Sequence, residues 1–168
     1  MRINKQIMAR VMPFIFYIAT MALSELLAEN GMDVRWIYSL RAVGTALLLL
    51  YFRKQYTELV WPPALSFSNI LLSISMGLLV FVLWINLDQH WMLFGKATGY
   101  DPRAVDGGLN YPMVALRLAG AALVVPLMEE LFWRSFIMRW MDQANFSELS
   151  PANVSIKALF LSSLLFAS

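Results

Sequence analysis

Cysteine is missing from this chain. Its absence excludes a disulfide framework, a thiol nucleophile and any cysteine-ligated metal site. Histidine occurs once, at His90, so no His-rich ligand set can be assembled from these residues. Charge is also scarce: 14% of the residues are Asp, Glu, Lys or Arg, against roughly a quarter in soluble domains. The net charge of +2 comes from scattered basic residues, with no cluster longer than Arg53-Lys54. That pattern fits the flanks of membrane spans and argues against a nucleic-acid partner.

What fills the chain instead is apolar sequence, 60% of 168 residues. A helix crossing the hydrocarbon layer of ~30 Å needs ~20 such residues. Five segments qualify, at about 11–28, 36–52, 69–87, 112–133 and 154–168, the fourth with an extension toward Met141. The fifth is still apolar at Ser168, which reads as an incomplete span. The fold class is therefore all-α, a polytopic transmembrane helical bundle in one membrane domain over residues 1–168.

Turn residues separate the spans. Asn30-Gly31-Met32-Asp33 divides the first two, Trp61-Pro62-Pro63 introduces the third, and Ser150-Pro151 is expected to open the fifth with proline in its first turn. The long connection from Asp88 to Tyr111 reads as extramembrane. The first span is too long for a signal peptide and lacks a clear cleavage site, so it is expected to stay uncleaved. Arg2, Lys5, Arg10, Arg53, Lys54, Arg134 and Arg139 fall on one side of the bundle and Arg35, Lys96 and Arg103 on the other. This bias places the N-terminus in the cytoplasm.

Against that background, Glu129-Glu130-Leu131-Phe132-Trp133-Arg134 stands out. Ionisable side chains in a bilayer are costly, so three together make a candidate functional site. The plainer reading is a helix that leaves the membrane with Glu and Arg at its wet end. At helical spacing Glu130 and Arg134 form an i,i+4 pair in the favourable acid-first order, while Glu129 points elsewhere. Pro126 removes one helical hydrogen bond just before the acids and can open a polar pocket there. Two carboxylates in unlike surroundings suit acid–base chemistry.

These residues resemble a known family. Val125 to Arg134 is similar to the Glu-Glu-x-x-x-Arg motif of the CAAX prenyl endopeptidase and bacteriocin-processing (CPBP, or Abi) family of intramembrane proteases. Gly99-Tyr100-Asp101-Pro102-Arg103 and Phe132-Trp133-Arg134-Ser135-Phe136 resemble a bacterial branch, the CAAX prenyl protease-related proteins found alongside exosortase sorting systems. Most of the family has glycine where this chain has Ser135. The resemblance implies a multi-pass protein of the bacterial inner membrane that hydrolyses a peptide bond near the cytoplasmic leaflet. Its substrate would be a membrane-associated protein or peptide. Glu129 would activate water, and Glu130 and Arg134 would shape the site.

A second family motif, Phe-x-x-x-His, resembles Leu164-Leu165-Phe166-Ala167-Ser168, with its histidine falling two residues further on. The expectation is a C-terminally truncated protease, inactive as these 168 residues. No cofactor is implied with certainty; a divalent metal such as zinc stays open, without its ligands in this chain. The competing readings are a non-catalytic immunity or scaffold protein on the same fold and, behind it, a transporter fragment. A transporter should show paired broken helices in symmetric halves, and one such helix is visible.

The other polar residues read more plainly. His90 is expected to be a solvated loop residue on the side opposite the acids. Arg41 and Arg117 should snorkel to the interface, or pair with Glu25 or Glu29. Gly77, Gly120, Ala119, Ala121 and Ala122 suit close helix packing. The six tryptophans suit an interfacial belt, and the eleven methionines suit packing.

Overall fold

Apolar runs punctuated by Gly, Pro, Asn and Asp give helices with sharp ends, and the computed structural model shows five long ones among the residues it describes. It describes residues 5–57, 59, 66–86, 109–150 and 153–167. The helices are α1 (Lys5–Glu29), α2 (Arg35–Tyr51), α3 (Phe67–Asn86), α4 (Tyr111–Asp142) and α5 (Ile156–Ala167). Among the described residues there is no extended strand. Each expected span corresponds to one helix. Of these, α1 and α4 are long and apolar enough to cross a membrane by length and composition.

The chain divides into two compact units, Met1–Glu58 with Pro102–Ser168, and Leu59–Asp101. The smaller unit holds α3, an apolar 20-residue helix about 30 Å long. The larger holds the other four helices. Trp61-Pro62-Pro63, His90, Pro151 and the Gly99–Arg103 stretch lie outside the described residues.

The turn between α1 and α2 forms as its residues require. Gly31 takes the left-handed conformation at φ 74°, and the N–H groups of Gly31 and Met32 close back on the carbonyls of Ala28 and Leu27. This is a Schellman closure, which satisfies carbonyls the helix end would leave open. Asp33 then accepts from the backbone N–H of Arg35 and pairs with its guanidinium at 2.9 Å. The hydrogen bonds from Arg35 hold the Asp33 carboxyl below the usual carboxylate range.

Close packing follows from small residues. A Cβ on Gly44 would lie 2.5 Å from the Phe16 ring, and one on Gly120 would lie 2.9 Å from Tyr38 Oη. Glycine lets α2 approach α1 at the first point and α4 at the second. The resulting core gathers Ala9, Leu49, Tyr56, Met128 and Leu131, with Phe14, Tyr17, Phe52, Val124 and Leu127 packed around it.

Pro13 inside α1 creates a specific need. Proline has no N–H for the carbonyl of Ala9, four residues back. Tyr56, in the turn after α2, donates its hydroxyl to that carbonyl at 2.8 Å. A side chain from another segment thus completes the interrupted helix.

Two expectations change. α5 begins at Ile156, with Ser155 receiving the N–H of Ala158 and Asp142 receiving both the N–H and the hydroxyl of Ser155. The capping group is therefore Ser155, five residues after the expected Ser150. Arg41 donates to the Ser24 hydroxyl at 2.8 Å and the Thr20 carbonyl at 3.3 Å, and lies over the Tyr17 ring. Those groups, not Glu25 or Glu29, receive its charge because they lie on the α1 face opposite it.

Candidate functional site

α4 carries the acids and is not a uniform helix. Asn110 caps its start by accepting the N–H of Met113 at 3.2 Å, with Pro112 in the first turn. The helix is α-helical to Ala119, π-helical over Gly120–Val124, α-helical over Val125–Glu129, and π-helical again over Glu130–Ile137. Proline at position 126 accounts for a break near the first π segment. The N–H of Val125 bonds Gly120 five residues back, shifting the ladder before proline interrupts it. The second π segment ends where Met138 N–H bonds Trp133. Such widened turns are frequent at functional sites.

The wider winding changes which residues share a face. Bonds from i to i+5 bring residues four and five apart into line, so Glu129, Glu130, Trp133 and Arg134 open onto the same groove. The expectation that Glu129 points away from Glu130 is corrected for this reason. Met128, Leu131, Ser135 and Phe136 turn to the buried side.

The groove measures about 360 Å³ and lies between α4 and α5. Pro126, the two glutamates, Trp133, Arg134 and Met138 form one wall, and Leu159, Ser162, Ser163 and Phe166 the other. Glu129 is half-buried and Glu130 exposed. Arg134 reaches Glu130 at 3.4 Å, both side chains being more than half exposed. The i,i+4 pair is thus present but open to its surroundings, so it orients the groups more than it stabilises the fold.

α5 is held against this wall by aromatic contact. Phe166 meets the Trp133 edge at 5.8 Å between ring centroids. The residue expected to begin a second motif therefore sits beside the first. The serines were not anticipated from the sequence. Ser162 and Ser163 both donate to the Leu159 carbonyl.

Arg10 is the larger omission. Its charge suggested a membrane flank, yet it is 1% exposed. Its Nε donates to Ser135 Oγ at 2.7 Å, and its Nη groups donate to the carbonyls of Gln6 and Gln55. The rings of Tyr56 and Phe146 lie 5.9 and 5.1 Å from its guanidinium carbon. Arg139, also buried, lies 5.1 Å from the same Phe146 ring. A buried guanidinium is tolerated when its donors are matched in this way.

A catalytic zinc normally takes three protein ligands. Among the described residues no group of three or more His, Cys, Asp or Glu side chains comes together. Among the described residues the groove offers two carboxylates, Glu129 and Glu130.

Comparison with known proteins bears on the same part of the chain. Residues 111–168 match a family model described as Rce1-like, type II CAAX prenyl endopeptidase Rce1-like. The match spans about a third of the chain and contains both walls of the groove. No curated protein and no solved structure matches.

Proposed function

We propose, on the family-model match over residues 111–168, that the groove is part of an endopeptidase site of the CAAX-protease-like, CPBP type in a membrane protein. The reaction is hydrolysis of a peptide bond in a membrane-associated protein or peptide. Glu129 takes a proton from water as the oxygen attacks the scissile carbonyl, and the proton passes to the departing amine. Glu130 is its charged neighbour, and Arg134 orients Glu130.

One observation carries this reading. Two carboxylates and an arginine, on a π-wound and proline-interrupted apolar helix, face one groove beside Phe166. Glu129 stands eighteen residues after Tyr111, about 27 Å along the helix. That distance puts the acids near the far edge of a ~30 Å hydrocarbon layer. On the charge bias this edge is the cytoplasmic one, and the family resemblance makes the membrane a bacterial inner membrane.

A lone carboxylate is a weak activator of water. The proposal therefore includes a proton-sharing partner for Glu129. The test uses the protein expressed from its own gene in its native membrane, with a membrane-tethered peptide library as substrate. Glu129→Gln should abolish cleavage, at least about a thousandfold, while insertion and protein level stay unchanged. Undiminished cleavage in that variant removes Glu129 from the mechanism. Full insertion with no cleavage by the unaltered protein favours a non-catalytic binding protein on the same fold.

A further inference from the structure

The π-wound segment Glu130–Ile137 is docked on α1 through Phe14 and Arg10, and the Trp133 ring also meets Phe14 edge-on at 6.0 Å between centroids. Phe132 stacks on Phe14 with ring centroids 3.8 Å apart and planes within 1°. Three residues later, Ser135 Oγ accepts from Arg10 Nε at 2.7 Å. Phe14 and Arg10 are four apart on α1, so both anchors rise from one face of that helix. Between them Trp133 and Arg134 are left toward the groove, one turn beyond Glu129 and Glu130.

π-helical turns are rare and usually short inside α-helices, so eight residues of this winding need support from outside the helix. The aromatic stack is apolar and tolerates sliding. The Arg10 bond does not, because the guanidinium is fixed by acceptors on three segments. It donates to Gln6 on its own helix, Gln55 in the turn after α2, and Ser135 on α4. The Tyr56 and Phe146 rings cover its faces. Shifting α4 by one residue toward ordinary α winding would carry Ser135 away from this fixed donor.

We propose that Arg10 is a positioning residue, whose bond to Ser135 holds the π register of Glu130–Ile137 and so keeps the acids and Arg134 facing the groove. Its kinetic consequence rests on the endopeptidase reading; its structural consequence does not. Hydrogen exchange of the protein in lipid nanodiscs separates the two. In Ser135→Ala and in Arg10→Gln, amides of residues 130–137 should exchange roughly tenfold faster, with residues 111–119 unchanged. The double variant should exchange no faster than Arg10→Gln, because that substitution already removes the one bond Ser135→Ala breaks, the Arg10–Ser135 bond.

Arg10→Lys keeps the charge but loses the fork of donors, and it should behave like Arg10→Gln. In a cleavage assay, Ser135→Ala should lower kcat roughly tenfold with KM within about twofold. Unchanged exchange at 130–137, uniform acceleration along all of α4, additive singles, or rescue by lysine would each overturn the proposal. If the exchange pattern appears and the unaltered protein cleaves nothing, the endopeptidase reading fails and the positioning role stands.

Discussion

At the scale of single residues, the chain places polar atoms where the apolar backbone leaves gaps. Ala9 has a carbonyl that Pro13 cannot serve, and Tyr56 serves it from another segment. Tyr56→Phe should therefore leave a buried acceptor unmatched and cost about 1–3 kcal/mol. Reversible unfolding in detergent would measure this, and a loss near zero would mean that the carbonyl finds another donor. The Glu130–Arg134 pair was legible from spacing alone, because four residues apart is close on either helix winding. The shared outlook of Glu129 was not legible. It depends on π winding, and no residue type in Glu130–Ile137 prescribes that.

At the scale of elements, glycine sets the distance between helices. At Gly120 the Tyr38 hydroxyl, which donates to the Arg117 carbonyl at 3.2 Å, fills the space a side chain would need. Gly120→Ala should destabilise the protein by about 1–3 kcal/mol through overpacking. In a Tyr38→Phe background the same substitution should cost less, since the clashing oxygen is gone. Thermal melts of the four variants give the coupling, and strict additivity would contradict the contact. Gly120 was expected to serve close packing, and it does; the partner could not be named, because nothing in the local pattern says which helix lies opposite. The cap of α5 was misplaced for a related reason. Ser150-Pro151 is a plausible opening in isolation, but the cap is decided by Asp142 holding Ser155 from the end of α4.

At the scale of the whole molecule, Arg10 near the start of α1, Gln55 after α2, and Ser135 and Phe146 toward and beyond the end of α4 meet at one end of the larger unit. That agrees with the charge count, which put these three regions on one side of the membrane. The proposed side is the cytoplasmic one. Because the chain has no cysteine, single thiols can report it cleanly. Met32→Cys should react with a membrane-impermeant maleimide on the outer face of spheroplasts. Lys54→Cys and Ser147→Cys should react only after lysis. The reverse pattern would invert the topology and put the glutamates at the opposite leaflet.

The sequence by itself determined what long apolar runs and turn residues control. These are an all-α architecture, a helix at each apolar run among the described residues, the Gly31 turn, and the one apolar segment that gathers ionisable groups. Such features are set by transfer free energy and local backbone preference, both of which act over a few residues. Tertiary structure alone decided the remainder. It turned Arg10 from a flank charge into a buried anchor, brought Ser162, Ser163 and Phe166 to the groove, and set both glutamates on one face. Those outcomes depend on hydrogen bonds and ring contacts between segments far apart in the chain, where neither hydropathy nor spacing identifies the partner.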